Sequence, residues 1–371
     1  MKKEFLFAGV LCAALVWSAG CSDDAMPSSG SSGARIASLA DDMRKCAPDI
    51  ASAGLGSGFE NWTAWSGAEQ YGVIKKHFDS NSGSESIYHM VTMLDDTVSK
   101  LGADLPAGAL QGEGGSGSKT VSGWTCSWEA ATTLTLPSIL NSQVVNDFAA
   151  HVNFSGDQSG STYVSDLYYK PEGDDGIEKI YFRYDNGSNE RGLVYAERRS
   201  GTGQLEVWTV CHKAAGAMPA AGSHGDNEFR CLLNFEGNST TKTFKFRVKT
   251  DSNAANGWLV FGGGSTADDN AYIALRGTSY ADTSVYANDG ARIQEIDEID
   301  NDPTTSYVIL TFGQLKNATA VTPKSATTAN FTTETESVKN YIILGEADCP
   351  FSSLQEIRAF KYPAEKTELG Y

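Results

Sequence analysis

No helical stripe interrupts the chain between Gly123 and about Gln294. In its place run short segments in which apolar and polar residues alternate, and this constrains the fold more than any other feature. The clearest is TFKFRVKT (243–250), where Phe244, Phe246 and Val248 point one way and Lys245, Arg247 and Lys249 the other. That is the period of a strand with one face in a core and one in water. Comparable runs are STYVSDLYYK, EKIYFRY, GLVYAERR, LEVWTVCH, NEFRCLLNFEG, AYIALRG and SYVILTFG. Between them stand DNGSNE (185–190), SGTGQ (200–204), EGNSTT (236–241) and FGGGSTADDN (261–270), whose Gly and Asn suit hairpin turns. Strands joined in sequence by turns form an antiparallel meander, and the lack of a crossover helical stripe argues against a βαβ fold. A meander of this length has to curl, close or split to protect its edges. The expected fold is therefore mainly β: a long antiparallel meander forming a curved sheet or barrel, with N-terminal α-helices packed on it. A two-sheet β-sandwich is the alternative.

The helices precede the strands. Ile36, Leu39, Met43 and Cys46 recur at three- and four-residue intervals, and from about residue 84 to 101 Ile87, Met90, Val91, Leu94, Val98 and Leu101 form an apolar stripe. Ser82 and Glu85 make a capping-box pattern at the start of the second helix. The methionines beside His89, Met90 and Met93, read as core packing. The division that follows is a helical segment over 34–108 and an antiparallel β domain over 109–371. The charges on the strands' polar face argue against a transmembrane barrel.

At the N-terminus Lys2 and Lys3 precede an uncharged segment, 5–20, that is shorter than the roughly 20 apolar residues needed to span a bilayer. A positive start, a short apolar core and small residues before a break describe a secretory signal. Ser18, Ala19, Gly20 and Cys21 resemble the lipobox of bacterial lipoproteins. The resemblance implies a signal peptide over 1–20 and a lipid anchor on Cys21, with diacylglycerol and fatty chains such as palmitate. Lipoproteins with Asp after the acylated cysteine tend to stay in the inner membrane; here the residue is Ser22, which implies the outer membrane, on its periplasmic side or at the cell surface. Residues 21–33, rich in Ser, Gly and Asp, read as a flexible tether with a reach of about 20 Å.

The formal net charge is −17. Such a chain repels phosphate backbones, so nucleic acid is excluded as a partner, and the membrane is reached through the acyl anchor rather than by charge. An envelope protein, a glycan or a lipid are the partners left. Of the seven cysteines, Cys12 leaves with the signal and Cys21 is acylated. Outside the cytoplasm disulfides persist, and Cys211 with Cys231 is the best pair, since both lie on strand-like runs flanking one polar loop. That bridge would close a loop of 19 intervening residues and stabilise by about 3 kcal/mol. Sequence does not choose among Cys46, Cys126 and Cys349 for any second bridge. No metal-thiolate site is expected: there is no C-x-x-C, and Cys211 and His212, with His224 further on, are adjacent strand residues that face opposite ways.

Chemistry concentrates in QEIDEIDNDP (294–303). Glu295 and Asp297 share a face of a strand, and a bulge would add Asp300. The stretch resembles the E-x-D-x-x-E strand of β-jelly-roll glycoside hydrolases of the laminarinase and agarase type. By that resemblance Glu295 is the nucleophile, Asp297 a helper and Asp300 the general acid. The alternative for the same stretch is a calcium site of Asp297, Asp300 and Asp302, without the Gly and closing Glu of an EF-hand loop. No G-x-S-x-G elbow and no H-E-x-x-H helix occurs, and no cofactor is expected. The sequence thus points to a lipid-anchored outer-membrane lipoprotein with a non-enzymatic binding or structural role. The alternative is a carbohydrate-active jelly-roll protein centred on the Glu295 strand.

Overall fold

The computed structural model describes residues 29–47, 78, 80 and 86–101 and, with breaks of which 215–227 is the longest, 105–279, together with 305–310 and 324–325. Among the described residues the helices α1 (Ser29–Ile36), α2 (Leu39–Cys46) and α3 (His89–Leu101) come first, followed by a 3-10 turn at Ala109–Gln111. The strands are β1 (Gly117–Val121), β2 (Trp124–Ala130), β3 (Leu134–Thr135), β4 (Val144–Val145), β5 (Ala150–Gln158), β6 (Ser161–Lys170), β7 (Glu178–Asp185) and β8 (Glu190–Arg199). They continue as β9 (Gln204–Ala214), β10 (Glu228–Asn238), β11 (Thr243–Ser252), β12 (Asn256–Ser265), β13 (Asn270–Ser279), β14 (Thr305–Leu310) and β15 (Lys324–Ser325). All but β3 and β4 form one 13-stranded sheet in chain order, β2 pairing with β5 and every neighbour antiparallel. The meander is the expected one. The sheet is open rather than closed into a barrel, with β1 and β15 at its edges.

One face of the sheet carries the helices. Ile36, Leu39, Met43 and Cys46 are all fully buried, as are Val91 and Leu94, against Phe182, Val194, Val207, Leu233, Phe235 and Phe246 of the strands. The first apolar stripe is continuous in sequence but belongs to two helices, because the chain breaks at Ala37–Ser38. Ser38 turns its hydroxyl back to the Arg35 carbonyl, 2.7 Å away. Helix α1 also begins at Ser29, inside the stretch read as tether. Helix α3 starts at His89, with the turn at Ser86 before it; Ser82 and Glu85 lie outside the described residues.

Two glycines set how closely the helices approach. A Cβ on Gly192 of β8 would lie 2.6 Å from Met90 Cε and would also meet the Val210 carbonyl oxygen. A Cβ on Gly237 of β10 would lie 2.8 Å from Cys46 Sγ. Each glycine leaves a notch that a helix side chain fills, at distances no real Cβ would tolerate.

The opposite face departs from the expectation of one wet side. Leu136, Leu140, Val145 and Phe148, on and around the β3–β4 hairpin, pack against Tyr181, Leu193, Tyr195, Val210 and Leu232. Strands β7 and β8 are therefore buried on both faces along most of their length.

The helices are fastened by an ionic cluster as well as by apolar contact. Glu178, fully buried at the start of β7, accepts from the Tyr169 hydroxyl at 2.5 Å, Arg198 Nε at 2.5 Å and Arg35 Nε at 3.3 Å. Arg198 also donates to Asp42 Oδ2 at 2.5 Å, Ser38 Oγ at 3.0 Å and the Arg35 carbonyl at 2.8 Å. A second tie runs between helices: Asp95 of α3 accepts from the Ala40 N–H at 3.3 Å, in the first turn of α2. Burial drives the Asp95 carboxyl up to about 8, above what its bond to the Ala40 N–H can offset, and its Oδ1 is buried without a hydrogen-bond partner.

Two outcomes follow. Glu178→Ala leaves two arginines beside a vacated buried position and should cost about 3–5 kcal/mol in urea unfolding. Asp95, with its folded pKa above the unfolded value of about 3.9, contributes stability that is complete below pH about 4 and is lost as pH rises through about 8. The Asp95→Asn protein should lack that component, so its stability relative to the native chain should increase steadily between pH 4 and 8. Equal pH profiles for the two would rule the buried-acid account out.

Candidate functional site

The most chemically distinctive group lies at the helix–sheet interface, at the opposite end of β7 and β8 from Glu178. His89 is the first residue of α3, Glu190 the first of β8, and Cys211 stands near the end of β9. Each is placed by a local device. The DNGSNE turn fixes Glu190: Asn186 Oδ1 accepts from the Asn189 and Glu190 N–H groups, both at 2.9 Å, and Gly187 takes the left-handed conformation at φ 70°. Register places Cys211 opposite Gly192 of β8, two residues from Glu190 and on the same face. Gly192, with no side chain, admits Met90, and so the preceding residue of α3 comes down over Glu190.

The ligand atoms His89 Nε2, a Glu190 carboxylate oxygen and Cys211 Sγ all lie within 4.8 Å of one another. His89 Nε2 is 2.5 Å from Glu190 Oε1, and the Cys211 thiol donates to the same oxygen at 3.8 Å. Lys213 Nζ lies 3.5 Å from Glu190 Oε2. Burial pushes the Glu190 carboxyl up, but His89 and Lys213 outweigh it and hold it below the usual carboxylate range. Burial, then the neighbouring Glu190 charge, pushes the Cys211 thiol well above its ordinary range. A neutral buried thiol is a poor nucleophile. A divalent cation reverses that balance, since it favours the thiolate and is attracted by the carboxylate.

The sequence had joined Cys211 to His212 and His224, and dismissed that set. His224 lies outside the described residues. The partners the fold supplies, His89 and Glu190, are 122 and 21 residues from Cys211 in the chain, so no spacing motif could reveal them. The one local hint was the turn that makes Glu190 a strand's first residue.

Cys211 and Cys231, the expected disulfide pair, are directly opposite in the β9–β10 register and both buried; they are thiols in this structure. Cys46 and Cys126 are buried elsewhere in the core. Cys21, Cys349, Glu295, Asp297, Asp300 and Asp302 all lie outside the described residues.

Two other polar groups are already satisfied by their neighbours. On the hairpin-covered face His151 bridges Glu129 and Asp166, each at 2.9 Å, and stacks on Tyr168. Asp166 is further held by Asn153 at 2.9 Å and Arg183 at 2.7 Å. Burial opposes both charges, yet the pairing wins: His151 is raised, and Asp166 falls to about 2. A cavity of about 250 Å³ beside Arg35, Ser38, Arg198, Arg199, Ser200 and Gly203 has two of its guanidinium groups committed to Glu178, Glu172 and Asp42. Trp124 and Trp128 lie against Gly156 and Gly117 on neighbouring strands.

Comparison of the chain with protein-family models, curated proteins and solved structures returned no match.

Proposed function

We propose that this is a lipid-anchored protein of the outer membrane whose sheet domain is a binding module for one thiophilic divalent metal ion, zinc foremost. The observation that carries the reading is the convergence of an imidazole, a carboxylate and a thiol from three separate elements within 4.8 Å. This donor set matches the nitrogen and sulfur preference of zinc and its neighbours rather than the all-oxygen preference of calcium or magnesium. Thiolate and carboxylate together supply two negative charges to a divalent ion, and the imidazole is neutral. Lys213 holds Glu190 from behind, as outer groups commonly orient metal ligands.

Binding changes little of the framework. Zinc–ligand distances of about 2.0–2.3 Å require the direct His89–Glu190 hydrogen bond to open, and the Cys211 proton leaves. The ion then joins α3, β8 and β9, which is a structural role as much as a binding one. The anchor reading rests on the lipobox resemblance around Cys21, with Ser22 following.

Titration of the reduced, detergent-solubilised mature chain with zinc should reach one equivalent and raise the thermal midpoint, as any ligand of the folded state does. Cobalt substitution should give a thiolate-to-metal absorption band that Cys211→Ser removes and Glu190→Gln weakens; calcium should do neither. Saturation without any cobalt–sulfur band, or no stoichiometric binding, overturns the site. Separately, Cys21→Ser should move the protein from the membrane fraction to the soluble fraction; unchanged membrane partition would contradict acylation there.

A further inference from the structure

We propose that Cys211 and Cys231 form a redox switch that turns the metal site off. The inference rests on the metal-binding reading above and adds its regulation. Three features of the structure meet here. Cys211 and Cys231 are register partners on β9 and β10. Both side chains belong to the core on the helix-covered face, 2% and 6% exposed. And Cys211 is the residue that also reaches Glu190.

Directly opposite residues of an antiparallel pair have Cα atoms about 4.5–5.5 Å apart, inside the window of about 4.4–6.8 Å that a disulfide spans. The ladder therefore already holds the two residues within the reach of a disulfide. A sulfur in a disulfide has no thiolate to offer, so the bridge leaves His89 and Glu190 alone at the site. Conversely, a metal-bound Cys211 thiolate is withheld from exchange. Metal and disulfide compete for one sulfur, and by linkage each lowers the affinity for the other by the same factor.

The oxidant is an external low-molecular-weight disulfide. One cysteine thiolate attacks it and releases one small thiol, leaving a mixed disulfide; the second cysteine then attacks the protein-bound sulfur and releases the second. The protein gives up two electrons and two protons, and both appear in the two small thiols. Because both sulfurs are buried, exchange proceeds through local opening near the end of β9, three residues beyond Cys211.

The test follows zinc affinity and thiol count together on the mature chain, before and after incubation with oxidised glutathione, with peptide mass spectrometry to map the bridge. The expected result is a loss of two thiols mapped to Cys211 and Cys231 and zinc binding weakened by at least about 100-fold, since loss of even an outer-shell partner costs about 10–100-fold. Zinc-saturated protein should lose those thiols more slowly than the metal-free protein, because the metal-bound Cys211 sulfur is withheld from exchange. Cys231→Ala should bind zinc as the native chain does and form no internal bridge with the oxidant, any reaction stopping at a mixed disulfide. If the reduced chain binds zinc but no Cys211–Cys231 bridge forms, or if the bridge forms and zinc affinity is unchanged, the switch is wrong while the metal site stands. If the reduced chain binds no zinc, the metal reading fails and the switch with it, whatever the thiol count.

Discussion

An open antiparallel sheet with apolar residues on both faces must be covered on both, and this requirement organises the rest of the molecule. The central strands β7 and β8 are buried on either side, which a simple two-layer meander could not achieve. One cover is the helical layer, supplied by chain that precedes the sheet. The other is the β3–β4 hairpin and its flanks, supplied where the meander leaves β2 and returns at β5. Burial rather than intrinsic propensity holds α1 and α2, which have eight residues each, below the roughly 12–15 at which isolated helices become even marginal in water. Their order depends on the sheet as much as the sheet depends on them.

The polar groups on the helix-covered face follow from the same geometry. Along β7 the face reads Glu178, Ile180, Phe182, Tyr184, and along β8 it reads Glu190, Gly192, Val194, Ala196, Arg198. Apolar residues occupy the middle and ionisable ones the ends, where the helix layer begins and stops. At one end Arg198 reaches up through Glu178 to Asp42, Ser38 and the Arg35 carbonyl, and so locks the α1–α2 junction. At the other end Glu190 meets His89, the first residue of α3. Packing in the middle and charge at the ends are complementary: the first supplies most of the burial energy, and the second fixes which way the helices lie, because buried charges without partners are strongly unfavourable.

Period-two alternation and turn composition make the meander readable in the sequence, and the stripe residues of β11 and of the helices whose side chains are described are buried. Three features were not legible. The break at Ala37–Ser38 was hidden because the apolar spacing runs through it unchanged. The second cover was hidden because Leu136, Val145 and Phe148 carry no period of their own; they are placed by the sheet face beneath them. The site was hidden for a different reason. His89 was read correctly as a neighbour of core methionines, but its own direction is set by how deeply Met90 sinks over Gly192, a tertiary distance that no local pattern encodes. That Cys211 and Cys231 lie opposite one another was legible because a hairpin register follows from the strands themselves, but the expected bridge is not formed: both are thiols.

Glu178 and Glu190 are alike in residue type, in position at the head of a strand and in burial on one face, yet the structure uses them differently. The partners of Glu178 are guanidinium groups and a phenol, donors whose protons do not leave near neutral pH. Its environment is closed to exchange, and the group acts as a fastening. Glu190 instead shares its Oε1 between an imidazole and a thiol, two groups that can each give up a proton and offer a lone pair. The same carboxylate geometry therefore fixes structure at one end of the strand pair and, at the other, leaves donors that a cation can take over. The difference lies in which protons are exchangeable, and it is at the exchangeable end that the second cysteine of the β9–β10 ladder stands.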